Sequence, residues 1–224
     1  MLRPPIALCI VLVLVSCVWR GDPQASPELD AVRPEYSGFS DPKDCAAAIG
    51  RPREPTQVPL AHDAIRLFSW NVQKNAGADL LTELARLAQG ADLILLQEAT
   101  RGMFAMSGLR DRYHRAFSPG YRSSTVDSGV VTASRTPPLT QCSFENIEPW
   151  IRSPKATNVT QYALGNRDGT LLVVNLHLIN FTVGVSDMKA QLNEALRVIE
   201  GHRGPVIVSG DFNTWSRRRE KTVA

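Results

Sequence analysis

The chain has 224 residues, of which 43% are hydrophobic and 21% are charged. This balance is ordinary for a globular protein, and the length suffices for one domain with an appendage. The formal net charge of +3 is too small to identify a nucleic-acid-binding protein by itself. It is compatible with any anionic substrate.

Residues 1–19 have the pattern of an export signal. Arg3 precedes an almost wholly apolar stretch from Ile6 to Trp19. This stretch is short for a membrane-spanning helix, which needs about 20 residues, and it fits the apolar part of a signal peptide. Its Leu14–Cys17 segment resembles a bacterial lipobox, in which the cysteine (here Cys17) is lipidated. A lipoprotein, a plain signal or anchor, and a misassigned start all remain open. The first two predict an exported protein, periplasmic or membrane-anchored.

Residues 20–62 are rich in proline, which breaks helices and central strands. The composition predicts a linker that tethers the domain, with one short helical turn at Asp44–Ile49. Cys45 and Cys142 could form a disulfide in an oxidising compartment. Their distance along the sequence does not decide whether they pair, because pairing depends on geometry.

Residues 63–224 are expected to form the folded domain. A strand is predicted over Ile65–Val72, and leucines at helical spacing predict a helix over Asp79–Ala88. The apolar run within Asp92–Gln97 is typical of a strand buried on both faces. This order of strand, helix and strand indicates a layered α/β fold.

The second half of the domain mixes strands with one long helix. An Asp168-Gly169 pair predicts a hairpin between two strands, and antiparallel neighbours exclude a purely parallel sheet. The pattern favours an α/β sandwich of two mixed sheets with helices on both outer faces. The predicted elements are strands at Ser128–Ser134, Ala156–Leu164, Thr170–His177 and Val206–Val208, and a helix at Val185–Ile199.

Polar residues follow or end four of the predicted strands. If these strand ends converge, they form one pocket that holds carboxylates, a histidine and amides. Magnesium prefers such oxygen ligands, together with water and substrate oxygens. The residues concerned are Asn71, Glu98, His177, Asp211 and Asn213.

Three segments around these residues carry a resemblance to a known family. Phe68–Val72, Leu95–Glu98 and Ser209–Asn213 resemble, in order, the first motif, the metal-glutamate motif and the Gly-Asp-Xaa-Asn motif of the endonuclease/exonuclease/phosphatase superfamily. The segment Asn175–Phe181 is similar to an uncharacterised bacterial branch of it. The resemblance implies a four-layer α/β/β/α sandwich and a divalent-metal-dependent phosphoester hydrolase.

The resemblance also implies roles for the residues that act on the metal and the water. Glu98 would bind Mg²⁺ or Mn²⁺. Asn71 would lie beside it, as a further ligand or as a group that holds that ligand or a phosphate oxygen. Asp211 would orient or deprotonate the attacking water. Such a set stabilises the negative charge that develops on oxygen in the transition state.

Other residues would contact the phosphoester. Asn213 would polarise the scissile phosphate, and His177 would contact a phosphate oxygen or protonate the leaving group. Asn175 is a further candidate for substrate binding. Lys155 is a weaker candidate for phosphate contact, and Arg217–Arg219 are expected to be a solvated helix start. Relatives of this class cleave DNA, RNA, sphingolipids and inositol phosphates, so nucleic acid and lipid head groups both remain open as substrates of an expected monomer.

The chain stops before the Ser-Asp-His type motif with which the family pattern ends. His62, His114 and His202 match no family motif. The resemblance therefore implies a fold that is incomplete at its C-terminus. A catalytically inactive remnant that still binds phosphate esters is the alternative to an active enzyme.

Overall fold

The computed structural model describes residues 38–49, 51, 58–165 and 169–224. The predicted signal with Cys17 and the turn residues 166–168 lie outside the described residues. Two four-stranded sheets form the centre of the structure. The elements in chain order are α1 (Pro42–Ile49), β1 (Leu67–Asn71), α2 (Ala78–Leu87), β2 (Leu93–Thr100), α3 (Met103–Met106), a 3-10 turn (Arg110–Arg112), β3 (His114–Arg122), β4 (Asp127–Ser134), β5 (Thr140–Ile147), β6 (Pro154–Ala163), β7 (Thr170–His177), α4 (Ser186–Ile199), β8 (Val206–Asp211) and α5 (Arg217–Val223).

The first sheet has the strand order β1-β2-β4-β3. β1 and β2 are parallel, with α2 as the crossover between them, and the other pairs are antiparallel. Because side chains alternate along a strand, the apolar run of β2 serves both faces. Ile94 and Leu96 pack in a cluster with α2 and α3, whereas Leu93 and Leu95 pack against the other sheet.

The second sheet has the strand order β5-β6-β7-β8. β7 and β8 are parallel and joined through α4, and the other pairs are antiparallel. Leu172 and Val174 of β7 face α1 and α4, whereas Leu171 and Val173 face the first sheet. The two sheets therefore share an apolar interface, and each carries helices on its outer face. This arrangement confirms the α/β fold class and the four-layer sandwich of two mixed sheets.

Part of the expected linker is folded onto the domain. Helix α1 buries Cys45, Ala48 and Ile49, and Cys45 forms a disulfide with Cys142 of β5. Leu60 is buried and bridges to Leu164 at the end of β6. The described residues of this segment thus belong to the packed structure, because apolar side chains between the prolines find sites on the second sheet.

Two strands and one short helix were not predicted from the sequence. β3 contains Pro119 and Gly120, which are rare in strand interiors and interrupt the sequence pattern that predicts a strand. β5 buries Cys142 and Phe144 on one face, but only four of its eight residues are buried outright.

Helices within the described ranges are all too short or too polar to span a bilayer.

Candidate active site

The polar strand ends meet at one edge of the sandwich. His177 at the end of β7 is the register partner of Asp211 at the end of β8. Asn71 at the end of β1 donates from Nδ2 to Asp211 Oδ2 at 2.8 Å, which joins the two sheets. Glu98 Oε1 lies 3.5 Å from the same Nδ2. The predicted convergence of these side chains is therefore observed.

Glu98 reaches the site because β2 is irregular there. Leu96 pairs with Val131 but Ala99 pairs with Gly129, so β2 carries one extra residue between the two pairs. Such a bulge re-aims a side chain. In a regular strand Glu98 would share the outer face with Leu96. With its φ of 53°, it instead brings Oε1 to 3.7 Å from His177 Nε2.

Lys74 is a cation at this site that the sequence did not indicate. Gln73 and Lys74 have φ values of 54° and 57°, and this left-handed turn directs Lys74 back towards β2. Lys74 Nζ donates to Glu98 Oε2 at 3.1 Å. Burial acts to raise the pKa of Glu98. The charge and hydrogen bond of Lys74, the charge of Lys155 and that of His177 when it is protonated outweigh burial and hold this pKa below its usual value. Glu98 is therefore a carboxylate at neutral pH.

His177 is buried between cations and carboxylates. Lys155 Nζ lies 2.9 Å from His177 Nε2. An ammonium group can only donate, so Nε2 is the acceptor and the imidazole is neutral. Burial, reinforced by the charge of Lys155, lowers the pKa of His177 to about 4. Asp211 Oδ2 is 3.7 Å from the same nitrogen.

Asp211 and Asn213 are held by the turn that follows β8. Gly210 has a φ of 140°, and a Cβ there would lie 2.0 Å from the Leu176 carbonyl oxygen, so only glycine allows β8 to approach β7 so closely. Asp211 Oδ1 accepts from the Asn213 backbone N–H at 3.0 Å. Asn213 Nδ2 donates to the Leu178 carbonyl at 2.8 Å. One of the two amide hydrogens of Asn213 is thus already used within the protein.

The structure does not support substrate binding by Asn175. Its side chain is fully buried between the two sheets. Gln97 Nε2 donates to Asn175 Oδ1 at 2.7 Å, and Asn175 Nδ2 donates to the Val131 carbonyl at 2.9 Å. Because inward-facing residues of β7 point at the first sheet until the strand ends, Asn175 links the sheets and only His177 reaches the cleft.

Glu148 and Arg219 are two buried charges beside the site. Glu148 was not identified from the sequence, and Arg219, expected to be solvated, is only 1% exposed. Arg219 donates from Nε to the Asn213 carbonyl at 2.7 Å and from Nη2 to the Ile179 carbonyl. Arg219 therefore ties together the loops that follow β7 and β8. No local sequence pattern distinguishes it from the neighbouring arginines.

The donor set suits an open site for a hard cation. Among the described residues, no three His, Cys, Asp or Glu side chains are grouped to hold a metal ion. Asn71 turns its nitrogen towards the carboxylates, and its Oδ1 accepts from the Gln73 N–H at 3.0 Å. Asn71 therefore holds the carboxylates and does not act as a ligand in this arrangement. Glu98 remains as the carboxylate that fits Mg²⁺, which retains water ligands and takes substrate oxygens.

These features define a two-sheet α/β sandwich with a polar site at the strand ends. Residues 68–223 match the model of the Endonuclease/Exonuclease/phosphatase family. The chain belongs to this family, which confirms the resemblance drawn from the three motifs.

Relatives from bacteria are similar over most of this chain. A UPF0294 protein of Vibrio vulnificus strain CMCP6 is 37% identical over 166 residues, which are 71% of this chain and 56% of that protein. A UPF0294 protein of Erwinia tasmaniensis is 35% identical over 180 residues, which are 80% of this chain and 66% of that protein. The chain thus spans a little over half to about two thirds of the length of these relatives.

Solved structures share the fold at low sequence identity. An endonuclease/exonuclease/phosphatase family protein from Leptotrichia buccalis has a TM-score of 0.56 and 14% identity, with 71% of this chain and 73% of that chain covered. A mannosyl-6-phosphatase from Bacteroides thetaiotaomicron has a TM-score of 0.54 and 16% identity, with 71% and 70% covered. At these identities the similarity shows the fold alone.

Proposed function

We propose that this protein is a divalent-metal-dependent hydrolase of phosphodiesters that uses an activated water. The observation that supports it most is the meeting of Glu98, Asp211 and a neutral His177 at one edge of the sandwich. Each carboxylate lies 3.7 Å from His177 Nε2. In this group Glu98 would hold a cation and Asp211 would accept a proton from water, both beside the space for a phosphate.

Asp211 is the proposed general base. It accepts hydrogen bonds from Asn71 Nδ2 and from the Asn213 N–H, which fix its carboxylate and leave lone pairs for a water. The water gives its proton to Asp211 as its oxygen bonds to phosphorus. The ester P–O bond breaks with its electron pair on the leaving oxygen, which takes a proton from solvent. The second amide hydrogen of Asn213 is assigned to a phosphate oxygen. His177 accepts at Nε2 in the resting site, so we assign it to positioning rather than to protonation of the leaving group.

Glu98 is the residue proposed to hold Mg²⁺ or Mn²⁺. Asn71 and Lys74 orient its carboxylate from either side. When bound, the metal supplies stabilisation of the negative charge on the phosphoryl oxygens.

Hydrolysis of bis-p-nitrophenyl phosphate by the purified full chain tests this proposal, with magnesium, with manganese and with chelator. Glu98→Gln and Asp211→Asn are each expected to lower kcat/KM by about 10² to 10⁴. Glu200→Gln is the matched control, since Glu200 is exposed at the far end of α4, before β8 begins. Turnover that survives both site substitutions would refute the assignment. A folded wild-type chain without turnover would favour the inactive, phosphate-ester-binding alternative.

We favour a lipid head group as the phosphodiester, because exposed apolar side chains lie beside the site. Trp150, Phe181 and Trp215 are 64%, 51% and 66% exposed. Their loops are adjacent, since Asn180 N–H donates to Glu148 at 2.7 Å and Trp215 Nε1 donates to Asn180 Oδ1 at 2.6 Å. Apolar and aromatic groups at the mouth of a site suit insertion into a membrane surface.

Nucleic acid is the competing substrate, since bases stack on aromatic rings. The neighbouring Ile147, Ile151 and Val183 are also exposed, and aliphatic side chains offer no such stacking. Export and attachment to a membrane through residues 1–19, with lipidation at Cys17, belong to the same proposal. Cell fractionation and mass spectrometry of the N-terminal peptide would test them.

A further inference from the structure

Glu148 is a fully buried carboxylate that the proposed chemistry does not use. Its Oε1 accepts from the backbone N–H groups of Asn180 at 2.7 Å and Phe181 at 3.2 Å. Its Oε2 has no hydrogen-bond partner within the described residues. A buried carboxylate is costly to desolvate, so its retention beside a cleft requires compensation by nearby cations.

Lys155 is the cation that Glu148 faces. Lys155 Nζ lies 3.9 Å from Glu148 Oε1 and 2.9 Å from His177 Nε2, and its side chain is only 11% exposed. Burial lowers the pKa of Lys155, and the charge of Glu148 opposes that effect. Glu148 therefore favours the charged ammonium in a place where burial alone would disfavour it.

The ammonium of Lys155 also faces the cleft. Lys155, His177, Glu98 and Lys74 line the same cleft. An ammonium has three donors, and His177 accepts one of them. Burial also lowers the pKa of Arg219, and the charge of Glu148 opposes that effect. The one buried carboxylate therefore favours the charged form of two cations. A positive charge with donors to spare thus borders the space that a substrate would fill.

We propose that Lys155 is a binding residue for a non-bridging oxygen of the substrate phosphate, and that Glu148 is the positioning residue that holds its ammonium at the cleft. This role rests on the proposed phosphoester chemistry. In this assignment the phosphate lies on the side of the cleft that is formed by the start of β6. Lysine binds phosphate as a compact point charge, which suits a short, buried contact.

Binding of inorganic phosphate to the magnesium-loaded full chain, measured by calorimetry, tests the assignment independently of turnover. Lys155→Met is expected to weaken phosphate affinity about 10- to 100-fold, the range of a charge-assisted hydrogen bond. Lys155→Arg should retain most of the affinity. Lys189→Met, at an exposed position of α4, should leave it unchanged.

Glu148→Gln separates positioning from general support of the fold. It should weaken phosphate binding in a chain that is still folded by circular dichroism, and it should add nothing to Lys155→Met in the double variant. Equal phosphate affinity of Lys155→Met and wild type would overturn the assignment, as would a wild-type chain that does not bind phosphate. Additive effects of the two substitutions would overturn the role of Glu148. A wild-type chain that binds phosphate but hydrolyses no diester would refute the proposed function. The phosphate affinities of the variants would still test the roles of Lys155 and Glu148.

Discussion

Replacement of Asn175 by leucine distinguishes a structural residue from a substrate-binding one. Leucine branches at the same carbon but cannot hydrogen bond. Gln97 Nε2 therefore loses its 2.7 Å acceptor and keeps only its 3.4 Å contact with the Leu95 carbonyl, and the Val131 carbonyl loses its 2.9 Å donor. Both Asn175 and Gln97 are buried, and a buried polar group without a partner costs about 1–3 kcal/mol. With two groups affected, the free energy of unfolding should fall by about 2–4 kcal/mol.

The double variant Asn175→Leu, Gln97→Leu sharpens this prediction. Removal of both partners leaves no unsatisfied amide between them, so the pair should be less destabilised than Asn175→Leu alone. Urea denaturation followed by tryptophan fluorescence measures the free energies, and bis-p-nitrophenyl phosphate hydrolysis measures kcat and KM for the same samples. Both variants should keep KM within about twofold of wild type, because Asn175 does not reach the cleft.

The opposite pattern would refute this reasoning. Unchanged stability of Asn175→Leu together with a large rise in KM would place Asn175 in contact with substrate. A double variant less stable than Asn175→Leu alone would show that the Asn175–Gln97 pair is not the source of the loss.

Three further predictions concern the disulfide, His177 and the exposed apolar side chains beside the site. Replacement of both Cys45 and Cys142 by serine should lower the free energy of unfolding by up to about 5 kcal/mol, the loop-closure value for a separation of 97 residues, and reduction of the wild type should match it in urea denaturation. Because folding lowers the pKa of His177 from 6.5 to about 4, the unfolded chain binds more protons in that window, and stability should fall by about 3 kcal/mol as the pH drops from 6.5 to 4. His177→Gln should flatten this dependence, and an unchanged slope would contradict it. Serine at both Trp150 and Ile151 should weaken sedimentation with phosphatidylcholine vesicles more than tenfold while leaving hydrolysis of the soluble diester intact; unchanged vesicle binding, or a loss of binding to single-stranded DNA instead, would contradict the lipid assignment.

The fold class and most elements of the domain follow from local patterns in the sequence. Buried apolar runs such as Leu93–Leu96, and leucines at helical spacing in α2, are local patterns that follow from the geometry of strands and helices. The motif residues also predicted that Glu98, His177 and Asp211 would meet. Strand ends are identified by where apolar residues stop, and parallel neighbours place those ends together.

Which of the polar residues face the cleft depends on how the two sheets pack together. Asn175 and His177 stand on the same face of β7, yet Asn175 hydrogen bonds to buried groups of the first sheet and only His177 lines the cleft. The sequence alone does not distinguish these two environments. Glu98 faces the site through a bulge that depends on its pairing with β4. Lys155 and Glu148 lie on either side of the turn between β5 and β6, and their roles depend also on His177 at the end of β7. The burial and the protonation state of these side chains depend on both sheets, because their partners and their low-dielectric surroundings exist only when the two sheets are packed together.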